Sequence, residues 1–166
     1  MPVSQHSPNL PARDEESTAI ELGTRNPLLI VDDRDDDRFL LELMLRRLGV
    51  SNPIVKLSSG EQAIAYLAGE QKFADRTRFP LPSVLFLDLK MPLVDGFDVL
   101  AWLQAQPARQ KVPVIVLTSS NQERDIQQAR QMGAHEYRVK PQQFEELVQI
   151  VREVRDRWLA HKPGLT

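Results

Sequence analysis

LFLDLKMPLVDG, residues 85–96, is an apolar run that ends on one carboxylate, Asp88, and passes at once into a charged segment holding a proline and a glycine. A short run that is apolar at every position marks a strand covered on both faces. A carboxylate at the end of such a strand is either a helix cap or a placed chemical group. The residues around it decide which. Downstream, DGFDVLAWLQAQ (95–106) has a helical pattern, and VPVIVLTSS (112–120) is a second all-apolar run ending in hydroxyls. Upstream, PLLIVDD (27–33) is another such run, bounded by proline and acids.

The same alternation fills the rest of the chain. DDRFLLELMLRRLG (36–49) predicts a helix that stops at Gly49 with Arg46 and Arg47 in its last turn. PIVKL (53–57) predicts a strand, and SGEQAIAYLAGE (59–70) a helix opened by Ser59. Residues 71–82 are irregular, with prolines and mixed charge; NQERDIQQARQMG (121–133) predicts a polar helix. HEYRV (135–139) predicts the fifth strand, and PQQFEELVQIVREVRDRWLA (141–160) a last helix with Pro141 at its first position. Five apolar strands alternating with helices imply an α/β fold, a doubly wound parallel sheet covered on both faces. Ligands of such folds lie beyond the carboxyl ends of the strands.

Composition narrows the functions. The chain has 166 residues, enough for one domain with a proper core. Its net charge of -2 does not point to nucleic acid or to an anionic membrane. There is no cysteine, which excludes disulfides, thiolate catalysis and Cys-ligated zinc. Residues 1–26 are rich in Pro, Ser, Asn and charge and read as a flexible leader without the pattern of a signal peptide. No apolar stretch is long enough to span a bilayer, so a cytoplasmic protein is expected. His6, His135 and His161 lack ligand spacing.

The strand ends carry a set of polar groups. The first delivers Asp32 and Asp33, the third Asp88, the fourth Thr118 and Ser119, and the fifth Lys140 before Pro141. Carboxylates crowded on one rim repel one another and stay ionised only around a cation. All-oxygen ligands suit a hard ion, Mg2+ above all. With the ion bound, one carboxylate could act as nucleophile toward phosphorus, while Lys140 neutralises phosphoryl oxygens and Thr118 donates to one of them. Asp35, Asp36 and Asp37 read as solvated acids favouring a helix N-terminus.

This set, in the segments LLIVDDRDDDRFLLELMLRRLG, VLFLDLKMPLVDGFDVL, VPVIVLTSS and GAHEYRVKP, resembles the receiver domain of bacterial two-component response regulators. The resemblance implies a flavodoxin-like fold of strand order 2-1-3-4-5 with five helices, a receiver domain over 27–160 and a short tail over 161–166. It implies that Asp88 is the phosphoacceptor, Asp33 a direct Mg2+ ligand and Asp32 a ligand through water. Lys90, two residues after Asp88, would lend its backbone carbonyl to the ion. Thr118 and Lys140 would bind the phosphoryl group. Tyr137 stands at the aromatic switch position, expected to turn inward when Thr118 moves. The implied partners are a sensor histidine kinase and a downstream protein, which could be a phosphorelay member. A homodimer through the fourth helix, fifth strand and fifth helix is also implied. With few residues after Trp158, no output module is expected. The long 70–82 segment and the LDLKMP run resemble cognate regulators of bacterial phytochromes and of related cyanobacterial kinases.

Two other functional classes share parts of this pattern. Haloacid-dehalogenase-type phosphohydrolases use an Asp nucleophile, but need a second Asp where this chain has Lys90. A pseudo-receiver would keep the fold as an interaction module without phosphorylation. On the first helix, Leu40, Leu41, Met44, Leu45 and Leu48 form the expected core stripe, leaving Phe39 and Leu43 as an i, i+4 pair. That pair is the candidate docking site for the kinase, with cover by the leader as the alternative. On the last helix Phe144, Leu147, Val148, Val151, Val154 and Trp158 follow the core pattern, and Ile150 is left for a second subunit. Trp102 is expected to pack on a neighbouring loop.

Overall fold

Each apolar run is a strand in the computed structural model, which describes residues 26–159. The expected leader and tail therefore lie outside the described residues, apart from Asn26. The strands are β1 (Leu28–Val31), β2 (Ile54–Leu57), β3 (Val84–Leu87), β4 (Val114–Thr118) and β5 (Glu136–Val139). All neighbours pair in parallel, in the order β2-β1-β3-β4-β5. The helices are α1 (Asp35–Arg47), α2 (Gly60–Ala68), α3 (Gly96–Gln104), α4 (Glu123–Gln131) and α5 (Phe144–Val154). This is the flavodoxin-like arrangement expected from the sequence.

The strands sort their side chains by the two-residue period. Leu28, Ile30, Val84, Phe86, Ile115 and Leu117 pack with Leu41, Met44 and Leu45 of α1 and with Leu147, Val151 and Val154 of α5. Leu29, Val31, Leu85, Leu87, Val114 and Val116 face the other way, toward Tyr66 of α2, Val99 and Leu100 of α3 and Ala129 of α4. Burial on both faces is why these strands are apolar throughout.

Local chemistry sets the helix ends. The Ser59 hydroxyl accepts from the Gln62 amide, opening α2, and Gly69 closes it at φ 70°. Asp95 and Asp98 form a reciprocal capping box at the start of α3. The 70–82 segment holds a 3-10 turn (Gln71–Phe73) and is tied down by a Tyr66, Phe73 and Phe79 aromatic cluster. Arg76 donates to the carbonyls of Tyr66, Leu67 and Phe79, so a guanidinium satisfies the last turn of α2. Trp102 stacks against Arg109 in the following loop, as expected.

Two expectations fail on the last helix. Pro141 is not its first residue: α5 begins at Phe144, after an extended Gln143. Phe144 is 45% exposed and not in the core. Val139, at the end of β5, is also partly exposed. Ile150 is half-buried against the α1/α5 core. A π-helical turn over Arg155–Leu159 continues α5, and buried Glu136 anchors it by accepting from Trp158 at 2.9 Å and from Arg157.

Candidate functional site

The parallel sheet brings the polar strand ends to one edge because backbone bonds run past the last strand residues. The Asp32 amide donates to Leu57, the Asp88 amide to Val31 and the Lys140 amide to Thr118. Asp32 and Asp88 are almost fully buried, and Asp33 is exposed. Oxygens of these three carboxylates all lie within 4.8 Å of one another. The Lys140 ammonium stands among them, 2.6 Å from Asp32 Oδ2 and 3.4 Å from Asp88 Oδ2. The expected rim of acids and ammonium is therefore assembled, with Thr118 at the end of the neighbouring strand.

One member of the site was not expected. Asp37 Oδ2 accepts from Lys140 at 2.8 Å, so this acid does more than favour the α1 dipole. The sequence carries a signal for it: Asp37 stands four residues before buried Leu41, on the core-facing side of α1.

Burial is the main electrostatic cost of this cluster. It pushes the Asp32 carboxyl above its ordinary value, against the bonds from Lys140 and the Arg34 amide and with a further push from Asp88. Burial also works against the Lys140 charge, but Asp32, Asp37 and Asp88 outweigh it and hold the ammonium firmly protonated. Thr118 is fully buried and its hydroxyl has no hydrogen-bond partner. A buried hydroxyl left unpaired costs about 1–3 kcal/mol, so its retention asks for a ligand or a second state that uses it. The donor set also fits a hard divalent cation: carboxylate oxygens, no sulfur or imidazole, and negative charge in excess of one lysine.

Lys90 and Tyr137 connect to a second network. The Lys90 amide donates to Asp88 Oδ1 at 3.3 Å, while its ammonium turns away and pairs with Asp125 Oδ2 at 3.1 Å. The half-buried Tyr137 donates its hydroxyl to the Ser120 carbonyl at 2.8 Å. The two candidate docking residues separate: Phe39 is 63% exposed, whereas Leu43 is half-buried against the α1/α5 core.

An acid-lined pocket at the carboxyl edge of a 2-1-3-4-5 sheet defines a class of signalling domain rather than one protein. The chain belongs to the response regulator receiver domain family, whose model matches residues 28–152. It is 32% identical over 139 residues to the probable methanogenesis regulatory protein FilR2 of Methanothrix harundinacea, covering 82% of this chain and 87% of that one. Among solved structures, that of the phosphorylated cyanobacterial phytochrome response regulator RcpA matches with a TM-score of 0.75 at 31% identity, over 84% of this chain and 99% of RcpA. The Mn2+-bound form of response regulator Rcp1 matches with a TM-score of 0.74 at 26% identity, over 84% of this chain and 99% of that one. Among the described residues, no helix is long and apolar enough to cross a membrane.

Proposed function

We propose that this receiver domain accepts a phosphoryl group on Asp88 from a histidine kinase, and that the product changes its affinity for a protein partner. The observation that carries this reading is the pairing of a buried Asp88, beside Asp32, Asp33 and Lys140, with a buried and unpartnered Thr118 hydroxyl.

In the transfer, an Asp88 carboxylate oxygen attacks the phosphorus of a phosphohistidine. The O–P bond forms, the P–N bond breaks, and the electron pair returns to the imidazole, which takes up a proton. Asp32, Asp33, Asp88 and the Lys90 carbonyl are the groups that would hold Mg2+, which when bound neutralises charge on the phosphoryl oxygens. Lys140 supplies the second positive charge, and the Thr118 hydroxyl donates to a phosphoryl oxygen. Movement of Thr118 toward that oxygen carries the β4–α4 segment with it and releases Tyr137 to switch. Phe39, exposed on the first turns of α1, is the docking anchor for the kinase. The likeness to RcpA, a phytochrome response regulator, supports a kinase of the phytochrome type as donor.

The test is incubation with acetyl phosphate and Mg2+, then intact mass, on wild type and Asp88→Asn. A Mg2+-dependent gain of one phosphoryl group in wild type alone is the expected result. A gain that persists in Asp88→Asn refutes the site. If wild type accepts phosphoryl neither from acetyl phosphate nor from phosphorylated phytochrome-type kinases, the pseudo-receiver reading replaces this one.

A further inference from the structure

Asp125 is a buried acid with no part in the site above. It sits in the first turn of α4, is 3% exposed, and stands four residues before buried Ala129, on the core-facing side of its helix. A buried carboxylate is costly unless it is paired. Asp125 has two partners on two different segments. The Ser120 hydroxyl donates to Oδ2 at 2.5 Å, and the Lys90 ammonium reaches the same oxygen at 3.1 Å. These bonds hold its carboxyl below the ordinary range, the Ser120 bond most and the Lys90 bond next.

The two partners differ in what they are attached to. Ser120 lies two residues after Thr118, on the β4–α4 segment whose movement toward Asp88 the proposed function invokes. Its carbonyl also accepts from Tyr137. Lys90 lies on the β3–α3 loop beside Asp88, and its amide is bonded to the Asp88 carboxylate. Asp125 thus ties the β4–α4 segment to the β3–α3 loop. The chain of contacts runs from Lys90 through Asp125 and Ser120 to Tyr137.

We propose that the Lys90–Asp125 ion pair is a latch that holds the β4–α4 segment and Tyr137 in their resting arrangement, so that loading of Asp88 works against it. The inference rests on Asp88 being the phosphoacceptor. It makes Asp125 a positioning residue for the switch, acting through Ser120, and gives Lys90 a role distinct from its backbone carbonyl. Opening the latch favours the loaded state because the Ser120 segment no longer drags a buried, ion-paired acid with it.

The test uses beryllofluoride with Mg2+ as the phosphoryl analogue, on wild type, Lys90→Met, Asp125→Asn and the double variant. Lys90→Met breaks the pair from its solvent side, so the core around Asp125 is untouched. Each single variant is expected to bind beryllofluoride about three- to tenfold more tightly, and the double variant no more tightly than the better single. Tyr137 ring resonances in the analogue-free variants should shift part of the way toward those of loaded wild type, on the line joining the two states, which simple loss of packing would not produce. Unchanged affinities, effects of opposite sign, multiplicative effects in the double variant, or Tyr137 shifts off that line overturn the latch while leaving the phosphoacceptor reading intact. Failure of wild type to bind the analogue, or equal binding by Asp88→Asn, removes the phosphoacceptor reading and the latch with it.

Discussion

Gly96 is the second residue of the DG pair that follows β3, and a single methyl group there should separate stability from helix propensity. Gly96 is the first residue of α3 and its amide donates to the Leu89 carbonyl at 3.1 Å. By propensity alone, Gly96→Ala gains up to about 1 kcal/mol. The packing opposes this. A Cβ at position 96 would fall inside contact distance of the Asp88 carbonyl oxygen and 2.7 Å from Leu89 Cα. Both neighbours are backbone, so neither can rotate away, and the end of β3 or the start of α3 must shift by more than half an ångström. Overpacking of this kind costs about 1–3 kcal/mol and more where backbone meets backbone. A net loss of roughly 2 kcal/mol lowers Tm by about 5–10 °C in a domain of this size. Asp88 itself rides on the displaced segment. A misplacement near 1 Å costs about a hundredfold in a positioned reaction, so a shift of half that should slow phosphoryl acceptance by about tenfold or more. Thermal melts and the initial rate of Mg2+-dependent labelling by acetyl phosphate measure the two effects. Wild-type Tm together with a wild-type rate would show that α3 pivots freely, and would refute the claim that this glycine holds the end of β3 in place.

Two further substitutions probe terms of opposite sign. Thr118→Val removes a buried hydroxyl that has no partner, so the free protein should be unchanged or more stable by about 1 kcal/mol, while its phosphorylated form loses the donor and the coupling to Tyr137. Denaturant melts and beryllofluoride affinity check this together; a destabilised free protein would mean that the hydroxyl already has a resting-state role. Glu136→Gln tests the acid that anchors the C-terminal turn. Burial alone would raise the Glu136 carboxyl, but the bonds from Trp158 and Arg157 and the charges of Arg157 and Arg138 outweigh it and hold it below its ordinary 4.5. A depressed folded value means that its stabilisation is complete above the unfolded value and is lost as pH falls through the folded one. Wild type should therefore exceed Glu136→Gln by about 1–2 kcal/mol at neutral pH, with the gap closing below roughly pH 4.5. A gap independent of pH in acid melts would exclude the charge as its source.

The parts of the fold legible in the sequence are those where one residue type answers one physical demand. Buried parallel strands need apolar side chains on both faces, so LLIV, VLFL and VIVLT stand out without any knowledge of partners. Because these strands are parallel, their polar ends had to meet at one edge, and Asp32, Asp33, Asp88 and Lys140 do. What escaped the sequence depends on where an element sits relative to the sheet. Phe144 shares the stripe of Leu147 and Val151, but it is the first residue of α5 and 45% exposed, and a stripe does not say how far along the helix the core extends. Asp37 and Asp125 are the converse. Asp37 reads as a solvated acid of a helix first turn and Asp125 carries no reading of its own, though both complement a helix N-terminus. Each also lies beside a buried residue four positions on and is itself wholly or partly buried, where a carboxylate must find a cation. Lys140 and Lys90 are those cations, and neither pairing is local in sequence. Asp37 and Asp125 both look onto the segments around Asp88, one through Lys140 in the site itself and one through Lys90 in the proposed latch.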